Sequence, residues 1–422
     1  MFAGYYKKTR EERLAILREY AGLTDEELAA LQAEGALPFE TANHMIENMI
    51  GTFQVPLGLG LNMVMNGKEY AVPMATEEPS VIAAMSSASK LIARSGGMVA
   101  TSSGRLMTGQ IAVYGVPNFE RAKMAIAEQQ ATLIDAANAA YPSLIKRGGG
   151  AREIVVREIE TAQEKLLVVH LYVETREAMG ANMINTMVEA LAPEIERLTS
   201  GTAEMKILSN LTDMATATAT CTIPANLLLS KNMGGEEVRD RIVRAFAFSD
   251  ADIYRAATHN KGIMNGVDAI LLAFGNDVRS ISAAAHAYAA KDGRYRPMSS
   301  WAVNGAGDLV GELTLPMPVA TVGGSIAISP LATLAQKIAK VENAEELAML
   351  AVSVGLAQNL AALKALVTEG IQRGHMSLQA KSTAISAGAT GAEIDMVAEK
   401  MLAAGQINLS YAKKIIEQNG GT

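Results

Sequence analysis

The sequence predicts an α+β fold. A large, mostly helical domain holds an inserted ferredoxin-like (βαββαβ) domain and ends in a small helical C-terminal piece. Three observations carry this. At 422 residues the chain exceeds one ordinary hydrophobic core, so two or three domains are expected. Between about 104 and 213 the order reads strand, helix, strand, strand, helix, strand. Around that block, apolar residues recur mostly at helical spacing. The expected division is 1–103 with 214–371, then 104–213 as the insertion and 372–422 as the appendage.

Residues 9–21 read as an amphipathic helix, and Thr24-Asp25-Glu26-Glu27 is a capping box opening a second. Residues 40–50 read as a third. Asn66-Gly67 between two apolar runs signals a hairpin. A periodic run then starts at Pro79 and stops at Gly96-Gly97. In the insertion, 105–115 alternates as a strand, 118–140 is one Ala-rich helix, and YPSLIKRGGG is a loop. Runs 152–160 and 165–175 are β-rich, 180–199 is a helix and 204–208 begins a last strand. Residues 214–223 return the chain to the large domain. From 236 helices dominate, broken by a β stretch at 298–316 around Trp301. Ile263 to Phe274 reads as a buried helix, which puts Lys261 at its start, where the dipole disfavours a cation. Lys261 and Asn265 share a face if that helix begins early enough. Gly374 reads as a break, and 376–418 as three short helices.

Hydrophobic residues are 49% and charged residues 19%, a folded composition. A net charge of −7 without a long basic run argues against nucleic acid. Cys221 is the single cysteine, so neither an internal disulfide nor a cysteine zinc cluster forms. Its alternating surroundings read as a buried strand rather than a nucleophile's site. The N-terminus lacks the apolar core of a signal peptide, and no apolar run approaches the roughly 18 residues of a membrane span. A cytoplasmic protein without membrane attachment is expected. Gly58-Leu59-Gly60 and Gly305-Ala306-Gly307 lack the dinucleotide spacing and its βαβ context, which rejects a Rossmann unit. The five histidines have no metal-ligand spacing, so no metal is expected.

Several groups can carry chemistry, and each has a structural alternative. Glu77-Glu78-Pro79-Ser80 suits a helix start, but Pro79 also holds Glu78 extended and able to aim away from the helix. Lys261 is either solvated or a cation waiting for a partner. Asp277 either caps the following helix or serves as a carboxylate. His375 is a lone histidine before a helix. Met179, Gly180, Ala181 and Asn182 open a helix whose free N–H groups can cradle a phosphate.

EEPS at 77–80, ENMIG at 47–51, EAMGANMIN at 177–185, RAATHNKGIMNG at 255–266, GND at 275–277 and GIQRGHM at 370–376 are spread along the chain. Together they resemble the class II (bacterial, soluble) 3-hydroxy-3-methylglutaryl-CoA (HMG-CoA) reductases, over about residues 8–420. The resemblance implies two-step hydride reduction of HMG-CoA to mevalonate and free CoA in the isoprenoid pathway. It makes the large domain the HMG-CoA domain, the insertion the dinucleotide domain and the C-terminal piece a flap. It gives Glu78 as proton donor at the aldehyde stage and Lys261 as the oxyanion-stabilising cation. Asp277 is the carboxylate joining them, and His375 the acid that protonates the CoA thiolate, with Gly374 as a hinge. It places Ser80, Arg255, Asn265, Asn210 and Gln358 around the HMG group. Tyr141, Met179, Gly180, Ala181, Asn182 and Asn185 fall at the cofactor, and Lys7 or Lys8 near CoA phosphates. It implies a homodimer or larger homo-oligomer with active sites at the subunit interface.

Two departures bear on this. Glu177 stands where the family usually has Asp. Tyr141 stands where NADH-preferring members carry Asp, and Lys146 and Arg147 are close by. The expected cofactor is therefore NADPH rather than NADH. The rival readings are the same enzyme run as mevalonate oxidation, a non-catalytic CoA-binding paralogue, and an acyltransferase using Cys221.

Overall fold

The computed structural model describes residues 1–33 and 37–419, excluding the side chains of 371–378 and 419. Helices α1 (Arg10–Ala21) and α2 (Asp25–Gln32) each start with a complete capping box, Thr9 with Glu12 and Thr24 with Glu27. The third predicted helix is shorter than expected: α3 is only Phe39–Asn43. Ile46, Ile50 and Phe53 beyond it are exposed, so no core sustains further turns there. Strands β1 (Leu57–Met65) and β2 (Lys68–Ala75) form the hairpin, with φ of 51° at Asn66 and 77° at Gly67 as its turn requires. Helix α4 (Val81–Ala93) and strand β3 (Val99–Ser102) follow.

The chain then enters a second core. Strand β4 (Leu106–Tyr114) precedes α5 (Phe119–Glu128), α6 (Gln130–Ala140) and α7 (Pro142–Lys146). Next come β5 (Gly150–Glu160), β6 (Lys165–Glu174), α8 (Ala181–Thr199) and β7 (Thr202–Leu208). The sheet order is β5-β6-β4-β7, antiparallel throughout, which is the ferredoxin-like arrangement. Two local expectations change. The single helix over 118–140 is two, parted at Gln129, and both pack on α8. The YPSLIKRGGG loop contains α7, with Pro142 at its first position, where a missing N–H costs nothing.

Strand β8 (Thr216–Ile223) pairs antiparallel with β3, Val99 facing Thr220 and Ser102 facing Ala217. Exit and return strands are thus neighbours, and the parent sheet closes behind the excursion. The rest comprises α9 (Gly235–Ala251), α10 (Ile253–Ala273), α11 (Val278–Ala289), β9 (Ser299–Val303), β10 (Leu309–Pro316), α12 (Pro330–Ala339) and α13 (Ala344–Val367). The second sheet runs β3-β8-β10-β9. Contrary to the sequence expectation, α13 is long and apolar enough to span a membrane. Its residues instead fill the core of this domain. It lies close on α10: a Cβ added at Gly266 would sit 3.0 Å from Gln358 Cβ.

Helices α14 (Ile371–Ser386), α15 (Glu393–Ala404) and α16 (Leu409–Asn419) share a small separate core around Ala384, Val397 and Met401. Gly374 is not the break. It lies within α14, and the chain turns at Gly370, whose φ is +82°.

Cys221 is buried on β8 opposite Gly311, and burial pushes its thiol up to about 12. A thiol held neutral is no nucleophile at neutral pH. Cys221→Ala is expected to keep steady-state turnover within about twofold of the parent. A tenfold loss of kcat would revive the nucleophile reading.

Candidate active site

Lys261 does not open a helix. Asp252 caps α10, accepting from Arg255 N at 3.0 Å, and the polar residues 255–261 form its first turns. At 100° per residue, Lys261, Asn265 and Asp268 make one stripe. This stripe meets the turn between β2 and α4. Lys261 Nζ donates to Glu78 Oε2 at 2.6 Å, and Asn265 Nδ2 donates to Glu78 Oε1 at 3.4 Å. Glu78 is aimed by its flanks. Its N–H donates to Thr76 Oγ1 at 3.2 Å, and Pro79 keeps it out of the helix. Ser80 then takes φ +78° as α4 begins. Side-chain exposures of 60% for Lys261 and 37% for Glu78 leave the pair open to a ligand.

Other polar groups lie on α10 and on α13, which packs against it. Arg255 is half-buried, and burial lowers its pKa. Gln358 is buried on α13, and its Oε1 has no hydrogen-bond partner among the described residues. The sequence reading left two features of α10 unassigned. Burial raises Asp268 to about 6, and its i+7 spacing from Lys261 was a readable signal. His259 is held by Ser299 Oγ at 2.7 Å and Asn359 Nδ2 at 3.1 Å. Burial, then Arg255, pushes it down to about 4, so it is a neutral strut between α10, β9 and α13.

A second cluster lines a cavity of about 660 Å³, within the usual range for small-ligand sites. Tyr141, Met179, Gly180, Ala181, Asn182 and Asp277 all line it. Gly180, at φ +96°, turns the chain into α8, whose start has no side-chain cap among the described residues. Arg147 and Arg176 supply positive charge. Asn185 is not among the lining residues. Its Oδ1 accepts from Leu208 N at 3.0 Å and ties α8 to β7.

Asp277 caps α11, its Oδ1 accepting from the N–H groups of Arg279 and Ser280, each at 3.1 Å. Asn210 Oδ1 accepts from Ser280 Oγ at 2.9 Å, on the same side. Within one chain these bonds hold Asp277 at the start of α11. Among the described residues, no hydrogen bond or ion pair links Asp277 to Lys261 or Glu78. At 1.5 Å per residue, on the order of 18 Å of helix lies between Lys261 and Ala273, beyond side-chain reach. His375 lies on α14, and its side chain is outside the described residues. Among the described residues, no three His, Cys, Asp or Glu side chains are grouped to hold a metal.

Comparison with known proteins identifies the family. The family model for hydroxymethylglutaryl-coenzyme A reductase matches residues 9–380. The chain is 48% identical to 3-hydroxy-3-methylglutaryl-coenzyme A reductase of Archaeoglobus fulgidus, across 98% of this chain and 94% of the relative. It is 35% identical to the probable enzyme of Borreliella burgdorferi, across 79% and 76%. A Streptococcus pneumoniae reductase structure superposes with a TM-score of 0.85 at 47% identity, covering 99% of both chains. A class II structure from the same organism, bound to NADPH in open conformations, gives 0.84 at 48%, covering 87% of this chain and all of that one. The chain belongs to the hydroxymethylglutaryl-coenzyme A reductase family, on the class II side.

Proposed function

We propose that the Lys261–Glu78–Asn265 cluster and the cavity at the start of α8 are two halves of one active site. A homodimer or larger homo-oligomer joins them. The observation that carries this is the 2.6 Å bond from Lys261 to Glu78, in a partly open site. In the synthetic direction the substrate is HMG-CoA and the products are mevalonate and CoA. Hydride addition at the thioester carbonyl carbon puts negative charge on its oxygen, and the Lys261 ammonium stabilises that charge. Glu78 protonates the alkoxide at the aldehyde stage. His375 protonates the departing CoA thiolate, which otherwise recaptures the aldehyde. Arg255 binds the free carboxylate with paired N–H groups. Ser80, Asn265 and Asn210 orient the HMG group, and its hydroxyl satisfies the orphaned Gln358 Oε1.

A nicotinamide cofactor supplies the hydride when bound. The cavity's residues fit it: free N–H groups at a helix start, Gly180 for close approach, and two arginines for phosphate. Tyr141 brings no carboxylate to repel a 2′-phosphate, and Arg147 lines the same wall, which supports NADPH over NADH. The NADPH-bound relative supports the same choice. We assign 1–103 with 214–371 to HMG-CoA, 104–213 to the dinucleotide and 372–422 to a flap, in a cytoplasmic enzyme. The test is HMG-CoA-dependent loss of absorbance at the nicotinamide band with each cofactor. NADPH is expected to give at least about tenfold higher kcat/KM. Equal or better use of NADH would overturn the cofactor choice, and oxidation of neither would overturn the function.

A further inference from the structure

We infer that Glu177 is a positioning residue for hydride transfer. It latches the cofactor loop to the segment that backs the Asp277 turn. This rests on the reading that the cavity holds the nicotinamide cofactor.

Glu177 stands within the Thr175–Met183 stretch that lines that cavity, and its bonds leave the inserted domain. Its Oε2 accepts from Thr321 Oγ1 at 2.7 Å and from Ala344 N at 2.8 Å. Its backbone carbonyl accepts from Thr321 N at 3.0 Å. Ala344 is the first residue of α13, so the carboxylate sits at the positive end of that helix. Arg105, 3% exposed, reinforces the join from below. Its guanidinium donates to the carbonyls of Arg176 and Ala178, on either side of Glu177. The same group donates to the carbonyls of Met317 and Val319.

The residue beside Thr321 is fixed too. Asn276, next to Asp277, donates to Ala320 O at 3.1 Å and accepts from Ala320 N at 2.7 Å. One extended segment therefore carries bonds from the cofactor loop and from the Asp277 turn. Neither can shift against the other without breaking several of them. Rate depends steeply on such placement: an error near 1 Å costs roughly a hundredfold.

The test uses the full chain and three variants. Glu177→Ala is expected to raise KM for NADPH and lower kcat, each about tenfold, with KM for HMG-CoA nearly unchanged. Thr321→Val removes one partner while leaving Glu177, and is expected to move the same parameters in the same direction. The double variant is expected to add little beyond Glu177→Ala, as for one shared contact. Glu177→Gln is expected to restore most activity, because its amide oxygen can accept both bonds. The inference is overturned if Glu177→Ala lowers only thermal stability, leaving both constants at parental values. It is also overturned if Thr321→Val is silent while Glu177→Gln is as damaged as Glu177→Ala, since Glu177 then touches the cofactor itself. If the parent fails to bind NADPH in a fluorescence titration, the cofactor reading of the cavity falls first.

Discussion

Lys261→Ala is expected to lower kcat by at least about a thousandfold while leaving the fold intact. The two effects separate because the same ammonium is worth different amounts in two states. In the resting protein it pairs with Glu78 in a partly exposed setting. Such pairs contribute only about 0.2–1 kcal/mol, so Tm should fall by no more than about 3 °C. In the proposed transition state the ammonium faces a full developing charge with water displaced. Loss of one fixed donor at such a position costs roughly a hundred- to a thousandfold, and here the donor is also a cation. Lys261→Met, which keeps the aliphatic stem, should behave alike. The measurements are single-turnover HMG-CoA reduction and thermal unfolding by circular dichroism. Activity above a tenth of the parent's, or collapse of the fold, would remove Lys261 from this role.

The elements that could be read from sequence are those set by local chemistry. The capping boxes at Thr9 and Thr24, the Asn66-Gly67 turn and the alternation of β8 each fix their own geometry. The insertion was readable because its strand and helix order is itself a topology. What was misread depended on partners distant in the chain. Helix α10 starts ten residues before its apolar run because Asp252 caps it, and its polar turns build the site. The 40–50 helix fails for want of a core to lie on. Lys261, Glu78 and Asn265 come together across 183 or more residues, which no local pattern encodes. Asn185 fits the family's cofactor motif by sequence, and the structure adds that its Oδ1 ties α8 to β7 through Leu208 N. Glu177 looked like a minor departure, and only its bonds to Thr321 and Ala344 show what it holds.

Mixing two inactive variants, Lys261→Ala and Asp277→Ala, is expected to restore about a quarter of parental activity. The reason is distance. On the order of 18 Å of α10 lies between Lys261 and Ala273, and Asp277 follows the end of that helix as the cap of α11. On the proposed reading of a site shared between copies, Lys261 comes from one copy and Asp277 from another. Co-refolding equal amounts gives mixed dimers as about half of the population. In each mixed dimer one site carries both defects and the other carries neither. Half of the dimers with half of their sites intact gives the quarter. The variants must be unfolded and refolded together, since mixing folded homodimers exchanges subunits slowly. Titration with increasing Asp277→Ala chain should trace a maximum at equal ratio. A mixture as inactive as its parents would place Lys261 and Asp277 in the same copy's site. That result would overturn the reading of a site shared between copies.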